Sequence, residues 1–390
     1  MSLLDEAHVI LPPAYEALYR AVWPSADLLA ETVPSSAGTR TLLLGCAADP
    51  LCLVVARRVK PAECVVVDDD AAAGTTLMAL AASARLPNLR AAEPAEFAAE
   101  CAVRTTPRFM VAIANTLYHP SKRMTAALLA LAHAALFPGG TLYIAGAKSR
   151  GIVSVAEEMR RLFGSSATLV MRKGHRVVAA TRGPEPGDDP SGLFSLNDAA
   201  AEPVVVRGQP LALIPSPLVF AGGRLDPATK LLAEAMEVHS DDVVADLGCG
   251  AGIVGLVAAR LAQAGHVYLL DASHTAVRLA AENARRNGIV NVTTVAGDAI
   301  TILGRTDIRP QVIVTNPPFH MGHAQSRLVA QEFIAGAAQR LAPSGRCYVV
   351  ANRFLPYERD LRQHFAIVRE VAGDERYKVL GAEQPVAQAD

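Results

Sequence analysis

The chain lacks a strong charge of either sign. Its 390 residues carry 37 Lys and Arg against 38 Asp and Glu, a formal net charge of −1, and neither half has a clear excess of base. That excludes broad, sequence-indifferent nucleic-acid binding but leaves room for a local basic patch. It also lacks zinc-spaced cysteines. The six it has, at positions 46, 52, 64, 101, 249 and 347, are scattered and match no metal-ligand spacing. No metal site is expected. With no signal peptide, these thiols fit a reducing cytoplasm, the expected location. Long apolar runs are missing too. The longest, 125–137, is too short to span a bilayer and contains His133. It reads as a buried helix, and no membrane association is expected. What is present is apolar content of 51%, enough for a globular chain of two or three domains.

From Thr41 onward, apolar strands alternate with Ala/Leu-rich helices. Strands are predicted at 41–44, 64–67, 109–114, 141–145 and 177–181. Residues 182–192 hold three prolines and three glycines and little apolar content, which marks a linker. After it the pattern restarts, with strands at 243–247, 267–270, 292–295, 312–314, 347–351 and 376–380. Such alternation implies a parallel sheet with helices on both faces, an α/β fold.

The two halves echo each other. The spacing from Gly45 to Asp68 equals that from Gly248 to Asp271. Asn115-Thr116-Leu117-Tyr118-His119 matches Asn316-Pro317-Pro318-Phe319-His320. Pro138-Gly139-Gly140 matches Pro343-Ser344-Gly345, and His175-Arg176-Val177 matches Tyr377-Lys378-Val379. We read an internal duplication of one α/β domain. The expected organisation is a first copy over residues 1–181, a linker over 182–206 and a second copy over 207–390.

The chemistry falls in the second copy. Asp246-Leu247-Gly248-Cys249-Gly250-Ala251-Gly252 follows a strand and opens a helix. Glycines there let a backbone approach a ligand at the helix N-terminus. Asp246 suits a cationic amino acid moiety rather than a phosphate, though a buried cap also fits. Asp271 ends the next strand, where a carboxylate can accept both ribose hydroxyls, although an ordinary N-cap before Ser273 also fits. Asp298, with Ala299, follows a further strand and offers an acceptor for an adenine amine, or a common turn. Val314-Thr315-Asn316-Pro317-Pro318-Phe319 ends a strand abruptly. The Asn316 amide oxygen and Pro317 carbonyl could hold both hydrogens of an exocyclic amine, with Phe319 stacked on its ring. A strand-terminating turn is the plain alternative.

In order, these features resemble class I S-adenosylmethionine-dependent methyltransferases that methylate amino groups. Phe220-Ala221-Gly222-Gly223-Arg224-Leu225-Asp226 with Thr229, Asn316-Pro317-Pro318-Phe319-His320, and Ala351-Asn352-Arg353-Phe354-Leu355-Pro356-Tyr357 resemble bacterial ribosomal RNA guanine-N2 methyltransferases. The small-subunit type C family is the nearest match, and its large-subunit type G relative is similar. The resemblance implies two tandem Rossmann-like methyltransferase domains, the first degenerate. It implies S-adenosylmethionine held by Thr229, Asp246, Gly248, Gly250, Gly252, Asp271, Asp298, Ala299 and Asn316. Asn316 and Pro317 would be catalytic and Phe319 would bind the guanine. The partner would be ribosomal RNA or a ribosomal subunit, met by a monomer. Large-subunit RNA, adenine, a protein glutamine and a non-enzymatic RNA-binding role are the alternatives. In the first copy Leu43 replaces Asp246, Ala47 and Asp49 replace two glycines, and the prolines become Thr116 and Leu117. No cofactor is expected there. Lys148, Arg150, Arg172, Lys173, His175 and Arg176 near its strand ends could meet RNA, or form a solvated face.

Overall fold

The computed structural model describes residues 3–7, 10–103, 108–119, 121–185, 189–196, 199–305, 308–317 and 323–386. It divides into two compact units, Met1–Ser195 and Leu196–Asp390.

The first unit is built on the strands Thr41–Leu44 (β1), Cys64–Val67 (β2), Leu89–Ala92 (β3), Phe109–Asn115 (β4), Leu136–Ala147 (β5), Ala167–Arg172 (β6) and His175–Thr181 (β7). They form one sheet in the order β3-β2-β1-β4-β5-β7-β6. In the second unit a hairpin of Glu202–Val206 (β8) and Gln209–Leu213 (β9) comes first. The sheet strands are Val243–Leu247 (β10), His266–Asp271 (β11), Val292–Ala296 (β12), Val312–Thr315 (β13), Arg346–Asn352 (β14), Phe365–Gly373 (β15) and Tyr377–Pro385 (β16). Their order, β12-β11-β10-β13-β14-β16-β15, repeats that of the first unit position for position. The inferred duplication is therefore a duplication of topology.

Central strands β1, β2 and β13 are buried at every residue. Helices cover both faces of a parallel sheet, so its strands need apolar side chains on both sides. That is why these strands read as short continuous apolar runs. The sheets are nonetheless mixed, because β7 and β16 run antiparallel to both neighbours. The cause is local in each unit. Lys173 and Gly174 both take positive φ, 49° and 79°, and close a tight β6–β7 turn. A short turn can join only antiparallel strands. In the second unit Asp374 accepts from the amides of Arg376 and Tyr377, at 2.7 Å each, and shapes the β15–β16 turn. Strands β6 and β15 escape the sequence pattern because they are largely exposed edges, whose short apolar stretches, Leu169-Val170-Met171 and Phe365-Ala366-Ile367-Val368, mark no buried face. β3 escapes it because its sequence, Leu89-Arg90-Ala91-Ala92, holds one buried residue and no run of large apolar side chains.

The segment expected as linker holds a helical turn, Ser191–Phe194, and the strand β8. Val206 is 2% exposed and joins Leu211 and Leu213 in the core of the second unit. The Arg286 guanidinium donates to the carbonyls of Ala199 and Leu196. Leu196 and residues 199–206 thus belong with the second unit. A fragment starting at Leu196 should be more stable than one starting at residue 207 by roughly 2 kcal/mol or more, the worth of one buried Val and its ladder. Urea unfolding of the two fragments checks this, and equal midpoints would show that the hairpin contributes nothing.

Candidate active site

The chain leaves β10 toward β11 and β12, then returns to the other side of β10 for β13 and β14. A crevice opens beyond the C-terminal ends of strands where the winding reverses. Leu247 is in register with Leu270 on one side and Thr315 on the other. The residues that follow these three, Gly248, Asp271 and Asn316, meet at this edge. The Thr315 hydroxyl donates to the Leu247 carbonyl at 2.8 Å and ties β13 to β10 there.

The glycine loop has positive φ at Gly248 (72°), Gly250 (54°) and Gly252 (82°). The glycines do different work. A Cβ on Gly252 would lie 2.9 Å from Cβ of Ala280, so this glycine lets the loop sit against the helix His274–Arg286. A Cβ on Gly250 would meet nothing within 4 Å, so the backbone there is bare. Its amide donates to Oδ2 of Asp271 at 2.8 Å, while Oδ1 accepts from the Ser273 amide at 2.9 Å. Each carboxylate oxygen has further acceptor capacity, so Asp271 can clamp the loop and still take ribose hydroxyls.

Asp246 is 2% exposed, and its Oδ2 accepts from the Gly255 amide at 2.9 Å, inside the helix Ile253–Leu261. Its geometry is that of a buried clamp between strand and helix. Burial pushes its carboxyl up to about 7. Burial, with the nearby Asp271 and Asp246 charges, also holds the Cys249 thiol neutral. Asp298 is exposed and caps the helix Ala299–Gly304, accepting from the Thr301 amide at 2.6 Å. Ala299 is buried, 4% exposed. The neighbouring Gly297 amide donates to the Asp271 carbonyl at 2.8 Å, which brings this corner beside β11.

On the other flank stands Asn316. Its Nδ2 donates to Oγ1 of Thr229 at 3.0 Å. Its Oδ1 is buried with no partner among the described residues. Pro317 is buried beside it. Phe319 lies outside the described residues. Thr229, 8% exposed, sits in the first turn of the helix Pro227–Ala235, and its hydroxyl donates to Asp226, the N-cap of that helix. Sequence reasoning gave Asp226 and Gly255 no role. Asp226 was detectable as an Asp-Pro helix start, but its bond to Thr229 was not.

The first unit repeats the clamp without the site. Asp68 accepts from the Ala47 amide at 2.7 Å and the Asp70 amide at 3.0 Å, just as Asp271 does from Gly250 and Ser273. The Asp49 side chain then fills the loop. It is 1% exposed and accepts from the Leu51 amide and from Nδ2 of Asn115. His119 packs on Gly45, where a Cβ would come within 2.6 Å of its ring. Burial lowers its pKa to about 4, so the imidazole is neutral. Of the basic residues near these strand ends, Lys148, Arg150, Arg172 and Lys173 are exposed. Arg172 pairs with Glu31 at 3.0 Å, and His175 shares a hydrogen with Ser25 at 2.6 Å.

A glycine loop on the central strand, an acid closing the next strand and Asn316-Pro317 across the switch point define a class I methyltransferase fold. The chain belongs to the methyltransferase small domain family, which it matches over residues 19–179 and 210–381. It is similar to ribosomal RNA small subunit methyltransferase C of Hahella chejuensis, 31% identical over 62% of this chain and 68% of that protein. It is also similar to ribosomal RNA large subunit methyltransferase G of Alteromonas mediterranea, 30% identical over 62% of this chain and 59% of that protein. Among solved structures it resembles the T. thermophilus 16S rRNA N2 methyltransferase RsmC, in complex with AdoMet and guanosine. That match has a TM-score of 0.75 and 26% identity, covering 93% of this chain and 92% of that one. No helix among the described residues is long and apolar enough to cross a membrane.

The bare backbone at Gly250, the carboxylate of Asp271 at the end of β11 and the Asn316 oxygen, without a partner among the described residues, fit S-adenosylmethionine, the cofactor of this fold class. Asp271→Ala should weaken cofactor binding by about 1.5–3 kcal/mol, the range for hydrogen bonds to a charged group. Asp68→Ala removes the same clamp in the first unit and should leave that dissociation constant unchanged. Calorimetric titration of both variants decides it, and an unchanged value in Asp271→Ala would place the ribose elsewhere. Asp246 also makes a pH prediction. Its raised pKa means that the folded chain holds a proton which the unfolded chain has lost. Stability should therefore fall as pH rises between the ordinary value of 3.8 and about 7. Asp49, raised to about 6, and Asp68, raised to about 7, act with the same sign in the first unit. Asp246→Asn should flatten the fall, as read from urea midpoints at acid and neutral pH.

Proposed function

We propose that this chain methylates the exocyclic N2 amine of a guanine in ribosomal RNA, with small-subunit RNA as the substrate. The observation that carries the reading is the buried Oδ1 of Asn316 beside the glycine loop, which has no partner among the described residues. A buried acceptor without a partner costs about 1–3 kcal/mol, so its retention points to a donor that arrives with the substrate. The names of the similar proteins support guanine and ribosomal RNA.

S-adenosylmethionine, when bound, supplies an electrophilic methyl group on a sulfonium. The task left to the protein is the nucleophile. The lone pair of a guanine amine is delocalised into the ring and poorly available. Asn316 Oδ1 and the Pro317 carbonyl accept its two hydrogens, favour a more pyramidal nitrogen and stabilise the positive charge that develops on it. Holding the amine against the methyl adds a proximity effect. No side chain need remove a proton before transfer, and the proton leaves afterwards to water. Phe319 stacks on the base. A paired guanine hides this amine in the groove, so the base must be unpaired or flipped. The glycine loop, Asp246, Asp271, Thr229 and the Asp298-Ala299 corner hold the cofactor, and the exposed Lys148 and Arg150 of the first unit meet RNA phosphates. The chain works in the cytoplasm as a monomer without metal.

Tritiated methyl incorporation into RNA, DNA and protein fractions tests the substrate class, and mapping of methylated guanines with and without the protein tests the base. Asn316→Ala should lower kcat by about a hundredfold or more, the scale of losing one preorganised polar group at a transition state. RNA affinity should hold, since phosphate contacts dominate it. A raised KM at unchanged kcat would make Asn316 a docking group instead. Asn115→Ala is the control with a second readout. Asn115 is fully buried and bonds Asp49 at 3.0 Å, so its loss should cost about 1–3 kcal/mol of stability while kcat stays at wild type.

A further inference from the structure

The orientation of a terminal amide is normally ambiguous, since its oxygen and nitrogen ends have the same shape. At Asn316 the surrounding protons remove the ambiguity. The Asp226 carboxylate can only accept. Its Oδ1 takes the amides of Ala228 and Thr229, at 3.0 and 3.3 Å, and its Oδ2 takes the Thr229 hydroxyl hydrogen. With that hydrogen committed, Oγ1 of Thr229 can only accept from its other neighbour. The group facing it, at 3.0 Å, must then be the amide nitrogen of Asn316. Oδ1 is forced to the opposite side, where it is the buried atom without a partner among the described residues.

The first unit shows the alternative. Asn115 donates through Nδ2 to Asp49, and its Oδ1 accepts from the Leu117 amide at 3.3 Å. Both ends are engaged within the chain, and the side chain is fully buried. In the second copy the residue matching Leu117 is Pro318, which has no N–H to give. The closing bond that silences Asn115 is chemically unavailable to Asn316.

We infer that Asp226 and Thr229 are positioning residues that set the direction of the Asn316 amide and so aim its oxygen at the substrate amine. This rests on the function proposed above and gives Thr229 a task other than cofactor contact. If the hydroxyl lost its direction, the amide could turn over and present N–H groups to an amine that itself needs acceptors.

The test uses the full chain and three variants. Thr229→Val keeps the shape and removes the oxygen. Thr229→Ser keeps the oxygen. Asp226→Asn keeps a good helix N-cap but turns one acceptor into a donor toward Oγ1, which frees the hydroxyl hydrogen. Thr229→Val and Asp226→Asn should each lower kcat by about tenfold or more at saturating cofactor, the scale of one hydrogen bond, with KM for RNA unchanged. Thr229→Ser, which keeps the bond, should hold kcat within about threefold of wild type. A spectroscopic reading needs no turnover. In protein labelled with 15N-asparagine, the side-chain amide signal absent from Asn316→Ala reports this group. Its hydrogen exchange should be slow in wild type and Thr229→Ser and fast in Thr229→Val. Unchanged kcat in Thr229→Val, a loss of cofactor affinity alone, or equal exchange in all forms would overturn the inference. If Asn316→Ala itself kept full kcat, the proposed amine chemistry would fall. The exchange measurement would still decide whether the relay holds the amide.

Discussion

The bond from the Gly250 amide to the Asp271 carboxylate, 2.8 Å long, is the constraint on which the site depends. It pins the loop after the central strand to the end of the adjacent strand. With the loop held there, Gly252 can seat against Ala280, Gly250 stays bare and the crevice keeps its shape. A second buried clamp, from Asp246 to the Gly255 amide, fixes the loop to the following helix. Two carboxylates thus hold one short loop from both ends. Burying them is costly, which the raised pKa of Asp246 records.

The same clamp in the first unit, from the Ala47 amide to Asp68, shows what the fold itself requires. Since it persists where Asp49, Asn115 and His119 close the loop with their own side chains, its first role is architectural. Binding is an addition that depends on what the loop and the Asn-containing turn leave open. In one copy the amide of Asn115 is bonded at both ends. In the other the Asn316 oxygen is buried without a partner among the described residues. Divergence after duplication can therefore be read as a change in which hydrogen bonds are completed, on an unchanged strand order.

A near-neutral chain fits this division of labour. Under the function proposed above, and without a general positive field, attraction to RNA would rest on local groups such as the exposed Lys148 and Arg150, and selectivity on the crevice.

Much of this was legible in the order of residues. Apolar runs marked the buried strands because helices cover both faces. Glycines, Asp246, Asp271 and the Asn-Pro-Pro turn marked one end of the sheet because those residue types break strands and carry lone pairs. The duplication was visible for the same reason, as four matched motifs in order. Edge strands β6 and β15 were not, since their apolar stretches are short and lie mostly exposed rather than on a buried face. Nor was the end of the linker, because β8 earns its place only by pairing with β9. Sequence alone left open whether Asp246 met a ligand or a backbone amide, and tertiary structure put the Gly255 amide against it. Above all, it could not say which way the Asn316 amide faces. That depends on Thr229, 87 positions away, and on Asp226 holding its hydrogen. Composition and spacing name the groups that can bond, but only the folded chain decides which donor meets which acceptor, and so which atom is left free.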